Sequence, residues 1–292
     1  MPRAQEPSNS KLIQRLREIS RGAPAPIGFG RVAEVTTPAM LVVAVLPRNE
    51  VALAEAATRA GADVVTLRVY GAGTDLLNET GDLSTETAAI QQVIQSVGGT
   101  TIVGLIMGSN GAIAADDVEK LGALGIDFVM SYPHLTPATF LELSGVGRLA
   151  ILDHQGGTVA RGINDLSIQG ALVRLERPHE SPPEMTVLDV ATYRAVADTV
   201  HRPIIAFPSW KPRASDVEVL KNAGIEGVAL VGPRPDATAE DIENFVRPFQ
   251  EIVKRVGKPV GRRIALTEPA VILPRVAAVG GDEVGEEPDE DE

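Results

Sequence analysis

From Met40 onward the chain repeats one pattern: a short run of mostly apolar residues, then a stretch with apolar residues at every third or fourth position. Runs without alternation mark strands covered on both faces, as in a parallel sheet flanked by helices. Eight such strands are expected, at 41–46 (LVVAVL), 63–69 (DVVTLRV), 101–107 (TIVGLIM), 126–131 (IDFVMS), 148–153 (RLAILD), 168–175 (IQGALVRL), 203–207 (PIIAF) and 227–231 (GVALV). Helical periodicity occupies 49–60, 83–97, 114–124, 136–144, 187–199, 215–223 and 238–256, with only a short or irregular piece expected between the fifth and sixth strands. Eight strands alternating with helices predict an α/β fold closed as a (β/α)8 barrel, with an open doubly wound sheet as the alternative.

Residues 1–40 stand outside this repeat as an N-terminal extension. Within it, Lys11 to Ser20 predicts a short amphipathic helix through Leu12, Ile13, Leu16 and Ile19, suited to capping the barrel floor or serving as an interaction arm. The barrel is expected over 41–260, and 261–292 is expected to be irregular and to end in a disordered acidic tail, GDEVGEEPDEDE.

Local chemistry places several boundaries. Ser215 with Glu218 and Thr238 with Asp241 have the spacing of helix caps, and Thr136-Pro137 sets a cap before a residue fit for the first helical turn. One phrase recurs where helix passes into strand: Ala60-Gly61-Ala62-Asp63, Leu124-Gly125-Ile126-Asp127 and Ala223-Gly224-Ile225-Glu226. Glycine there ends a helix in the left-handed conformation and the acid precedes the strand, a repeat that belongs to the structural end of a barrel.

The net charge of −12 changes this picture little, because eight of the 39 acidic residues lie between Asp282 and Glu292, leaving 31 acidic against 27 basic. Without a basic face, nucleic-acid binding is disfavoured. The absence of cysteine excludes disulfides and thiolate chemistry. No apolar run reaches the ~18 residues of a membrane span, and the N-terminus lacks the layout of a signal peptide, so a cytoplasmic protein without a membrane partner is expected. A homo-oligomer is compatible with the sequence.

Candidate chemistry gathers at the C-terminal ends of the strands, which in a barrel share one rim. Asp153 and His154 end the fifth strand, an acid and an imidazole suited to proton transfer or to sharing a metal with Glu176 beyond the sixth strand. Lys211 follows the seventh strand and reads as an anion binder, a Schiff-base amine or a solvated rim lysine. Arg68, inside the second strand, calls for an anionic partner, either a ligand or a carboxylate. Ser131 ends the fourth strand and Ser209 follows the seventh. The loop Gly71–Gly81 suits a lid, and Trp210 a stacking platform. His134 and His154 reach one metal only if strands four and five are neighbours, and no metal site is assigned.

The stretch Pro203–Gly232, PIIAFPSWKPRASDVEVLKNAGIEGVALVG, resembles the last two units of the phosphate-binding (β/α)8 (TIM) barrels, a superfamily that includes enzymes of tryptophan and histidine biosynthesis, thiamine-phosphate synthase and flavin-dependent barrels. In that group, glycine turns after strands seven and eight present backbone N–H groups to a phosphate. Gly232 matches the glycine after strand eight, whereas Pro208-Ser209-Trp210 stands where glycine is usual after strand seven. The resemblance implies a metabolic enzyme of the lyase or isomerase type acting on a small phosphorylated or carboxylated substrate. Asp153 would be the base, Lys211 or Arg68 would neutralise the anion, and Gly232 with Ser209 would hold the phosphate. Its alternatives are an FMN-dependent oxidoreductase barrel and a non-catalytic barrel serving binding or assembly.

Overall fold

A computed structural model describes residues 10–21 and 38–256, apart from 75, 109, 154–156, 176, 178, 179 and 211. The strands are Leu41–Val45 (β1), Val64–Val69 (β2), Ile102–Met107 (β3), Phe128–Ser131 (β4), Gly147–Leu152 (β5), Gly170–Arg174 (β6), Ile204–Phe207 (β7) and Gly227–Val231 (β8). Each pairs in parallel with the next, and β8 returns to β1 through Leu41↔Gly227 to Val45↔Val231, which closes the barrel and removes the open-sheet alternative.

Helices Val51–Arg59 (α2), Leu83–Val97 (α3), Ala115–Lys120 (α4), Gly157–Ile163 (α5), Val187–Thr199 (α6), Asp216–Asn222 (α7) and Ala239–Val256 (α8) connect the strands outside the ring. The short piece expected between the fifth and sixth strands is the two-turn helix α5. Two expectations change. The helix expected over 136–144 is a 3-10 turn, Ala138–Glu142, because the Thr136 hydroxyl donates to the Tyr132 carbonyl (2.7 Å) and Leu143 leaves the helical region. Ser215 does not cap α7, since its own backbone is helical (φ −61°, ψ −24°). Asp216 serves that turn instead by accepting from Arg213 N–H (2.9 Å) and Trp210 Nε1–H (3.1 Å). The Thr238–Asp241 cap forms as expected, and Thr186 with Asp189 builds a second capping box at α6.

Alternate residues of each strand face the barrel interior, where Leu41, Val43, Val45, Ile102, Ile106, Phe128, Met130, Leu149, Ile151, Leu172, Ile205 and Ala229 form one apolar cluster. Phe128 fills its lower half. A side chain at Gly104 would fall inside the Phe128 ring, so glycine on β3 is the vacancy that the ring occupies.

The N-terminal helix Lys11–Arg21 (α1) closes the floor, burying Leu12, Ile13 and Leu16 against that cluster. Full burial of each is worth about 1.5–3 kcal/mol. Polar groups fix the docking. Asp127 accepts from Ser10 Oγ–H (2.7 Å), Lys11 N–H (2.7 Å) and Leu12 N–H (2.9 Å), which satisfies the first donors of the helix. Asp63 accepts from Val42 N–H (2.9 Å) and Gln250 Nε2–H (2.8 Å) and lies 3.7 Å from Arg15. Glu226 accepts from Ile204 N–H (2.7 Å) and Ser20 Oγ–H (2.7 Å). The three helix-to-strand phrases thus play the same structural part. Gly61, Gly125 and Gly224 all have left-handed φ (92°, 79° and 91°), and each following acid joins α1 to the barrel.

Candidate functional site at the barrel mouth

The inward alternation continues to the C-terminal strand ends, where the apolar filling gives way to Thr66 and Arg68 on β2, Tyr132 after β4, Asp153 after β5 and Arg174 on β6, with Phe207 and Val231 completing the ring. Register sets two of these side by side: Leu152 pairs with Val173, so the next residues, Asp153 and Arg174, are neighbours across β5 and β6. Asp153 is half-buried and Arg174 exposed, and neither has a hydrogen bond or ion pair with a described residue. Below them, Thr66 is fully buried and its hydroxyl has no partner among the described residues.

Arg68 is buried (4 % exposed) without a carboxylate within 4.0 Å among the described residues. Its guanidinium donates to backbone carbonyls of the β2–α3 loop, Nη1 to Asn78 (2.8 Å) and Nη2 to Ala72 (2.9 Å). Burial lowers its pKa from the usual arginine value, while Tyr132 and Glu86 oppose that shift. Asn49 holds its backbone from below: Arg68 N–H donates to Asn49 Oδ1 (2.9 Å), and Asn49 Nδ2–H donates to the Arg68 carbonyl (2.7 Å).

The loop that follows leans over the mouth and is tied down at both ends. Tyr70 N–H donates to the Gly81 carbonyl (2.7 Å), Thr80 N–H to the Gly71 carbonyl (3.0 Å), and Asn78 joins Pro47 and Pro235 in the loops after β1 and β8. Leu77 packs on the interior cluster from above. Tyr70 begins the loop with φ 53°, a left-handed conformation unfavourable for an aromatic residue. Its hydroxyl donates to Asp117, and burial followed by that carboxylate pushes the phenol pKa up to about 12. A Cβ at Gly71 would collide with the Arg68 guanidinium and lie 2.7 Å from Thr80 Oγ1, so a side chain there must displace both.

The other residues expected at the rim separate. Ser131 is buried and alternates with the inward Phe128 and Met130, so its position belongs to the helix-facing side with Val129. Ser209 is exposed after β7. Gly232 donates its N–H to the Val45 carbonyl (3.1 Å), and a Cβ there would meet Pro47 at 2.8 Å, so its bareness serves packing between the β1 and β8 turns. His154, Glu176 and Lys211 lie outside the described residues. Trp210 is not an open platform. It is 5 % exposed, with Tyr193 edge-on at 6.0 Å and the Arg177 guanidinium 5.8 Å from its ring centre. β4 and β5 do pair, yet no group of three His, Asp or Glu residues converges as metal ligands among the described residues.

Sequence reasoning missed Arg174, which lies within an expected strand whose end was placed one residue too late. The signal available was parity, since Arg174 shares the face of Leu172.

No protein-family model and no curated protein matches the chain. Solved structures do. Thiamine phosphate pyrophosphorylase from Pyrococcus furiosus is 15 % identical with a TM-score of 0.53, over 74 % of this chain and 96 % of that one. Phosphoribosyl anthranilate isomerase from Thermus thermophilus is 13 % identical with a TM-score of 0.54, over 74 % and 100 %. A chain of the tryptophan synthase α2β2 complex from Pyrococcus furiosus is 12 % identical with a TM-score of 0.57, over 73 % and 98 %. At these identities the likeness is one of fold, and the chain has the (β/α)8, or TIM-barrel, fold.

Proposed function

We propose that the chain is a metabolic enzyme of the lyase or isomerase type that acts on a small phosphorylated or carboxylated substrate at the barrel mouth. One observation carries this reading: a carboxylate with no described partner, Asp153, stands next to an arginine with no described partner, Arg174, at the end of a closed barrel where substrates are usually handled. An acid left uncommitted beside a cation is placed to take a proton from a substrate whose anionic group the cation holds.

In this scheme Asp153 is the general base. Arg174 supplies a planar fork for a carboxylate or phosphate, and Arg68 adds positive potential from the wall of the site. Ser209, which follows β7, and His154, Glu176 and Lys211, known by sequence position alone, are the further groups this scheme draws on. The Gly232 amide is committed to Val45, so anion recognition rests on side chains more than on the β8 turn. The same commitment removes one amide that an FMN phosphate would use there, and no observation favours the flavin reading. The solved structures of similar fold include enzymes named for phosphorylated compounds, which agrees with an anionic substrate class.

Native mass spectrometry of the purified protein should reveal a co-purified anionic metabolite, and that ligand defines the turnover assay. Asp153→Asn should then lower turnover by roughly 100-fold or more while leaving the ligand bound, and Arg174→Gln should weaken binding. If Asp153→Asn leaves turnover unchanged, Asp153 is not the base; if the parent protein binds the ligand and turns nothing over, the barrel is a non-catalytic binding or assembly component.

A further inference from the structure

A second group of arginines lies at the opposite end of the molecule. A cleft of about 350 Å³ opens between α1 and the turn leading into β7, lined by Arg17, Ser20 and Arg21 from the helix and by His201, Arg202 and Glu226 from the barrel. No Asp or Glu oxygen lies within 4.0 Å of Arg17, Arg21 or Arg202 among the described residues. Glu226 uses its oxygens on Ile204 N–H and Ser20 Oγ–H, as described above.

Arg21, in the last turn of α1, is favoured there by the partial negative charge of a helix C-terminus. That account does not reach Arg202. Its Nη2 donates to the Asn164 carbonyl (2.7 Å), and its Nε is buried with no partner among the described residues. Burial, and after it the nearby Arg17, depress the Arg202 pKa, with Asp165 acting in the opposite sense from more than 4 Å away. Two guanidinium groups held near one another over a cleft disfavour the docking of α1 unless an anion stands between them.

We infer that this cleft binds a phosphate-type oxyanion of a small molecule, held by Arg17 and Arg21 on one side and Arg202 and His201 on the other. The guanidinium fork matches the oxygen spacing of such an anion. Because its ligands come from both α1 and the barrel, the bound anion fastens the floor helix in place, a role separate from chemistry at the mouth.

The test uses the full chain, with inorganic diphosphate as the probe. Adding it should raise the melting temperature and slow amide hydrogen exchange in α1, both less so at high salt. The double variant Arg17→Gln, Arg21→Gln keeps helix propensity and should lower diphosphate affinity roughly tenfold or more. Without diphosphate its melting temperature should not fall below that of the parent, because a repulsion has been removed. Arg174→Gln at the mouth should retain the full response in α1. The inference is overturned if diphosphate leaves α1 exchange unchanged, if the double variant responds like the parent, or if Arg174→Gln abolishes the response and so places the anion at the mouth. The reading of the mouth as an active site stands or falls separately, on Asp153→Asn.

Discussion

At the floor of the barrel the carboxylates of Asp63, Asp127 and Glu226 each accept two or more hydrogen bonds from named backbone or side-chain donors. At the mouth, Asp153 and Arg174 face the opening without a described partner, and Arg68 is satisfied by loop carbonyls instead of an acid. Both ends belong to the same eight strands, so topology does not cause the difference. Floor acids follow a glycine-ended helix turn, and Asp63 and Glu226 accept strand N–H groups while Asp127 accepts the first N–H groups of α1, so their part is structural. Mouth charges come from strand ends with no shared phrase, and leaving them unpaired forgoes stability, as is common where a site must meet a ligand. The contrast predicts that floor changes damage folding and mouth changes damage binding.

The largest expected effect on stability lies in the lower interior. Gly104→Ala places a methyl group inside the Phe128 ring, and overpacking of this kind should cost about 3 kcal/mol. Urea unfolding measures it, and Phe128→Leu in the same chain should recover part of the loss. An unchanged midpoint for Gly104→Ala would show that the lower interior yields easily, and the contrast with the mouth would weaken. Asp127→Ala comes next. It strips the acceptor from Ser10, Lys11 and Leu12 and should cost about 2 kcal/mol. Hydrogen exchange should accelerate in α1 far more than in β5 and β6, while binding at the mouth stays the same.

At the mouth the same kind of substitution should act differently. Gly71→Ala pushes the Arg68 guanidinium and Thr80 aside, but the loop it belongs to is at the surface and can shift, so global stability should fall by about 1 kcal/mol or less. Its clearer signature is faster proteolysis within residues 71–82. Equal loss of global stability from Gly71→Ala and Gly104→Ala would erase the distinction between the two ends.

Much of this fold is legible in the chain. Every strand begins and ends within two residues of its apolar run, because burial on both faces imposes one unbroken signal. The helix at 157–163 is legible only as a short or irregular piece: GTVARGI has two glycines and few apolar residues, so its period is weak. The turn at 138–142 errs in the other direction, since Phe140 and Leu143 carry a helical spacing that Thr136 and Pro137 do not nucleate. Site residues are harder to read, because adjacent strand residues face opposite sides and the last residue of a strand decides which one meets the mouth. Ser131 and Arg174 show both outcomes. The apolar run marks Ser131 as a strand end and carries one residue past Arg174, and the observed register separates the helix-facing serine from the inward arginine.

The smallest effect distinguishes the two ends by pH. Burial raises the pKa of Asp63 and Glu226 at the floor, despite the hydrogen bonds that oppose the shift. In the window between the unfolded and the raised native values, the folded chain keeps protons that the unfolded chain has lost, so stability falls as pH rises through it. At the head of α3, toward the mouth, the opposite holds. Asp82 caps the helix through Thr85 N–H, Thr85 Oγ1–H and Ser84 Oγ–H, which lowers its pKa to about 2. Between about 2 and the ordinary value of 3.8 it is the unfolded chain that holds the extra proton, so stability is lost as pH falls. The two ends therefore pull the melting temperature in opposite directions, the floor acids lowering it as pH rises above the ordinary carboxylate values and Asp82 lowering it as pH falls below its own. Glu226→Gln retains a side-chain acceptor at that position and removes the buried charge, so it should flatten the decline above the ordinary glutamate range and leave the acid side unaltered. Asp82→Asn should soften the acid side alone. If Glu226→Gln leaves the decline toward neutral pH as steep as in the parent, burial of this acid is not what sets the pH response of the floor.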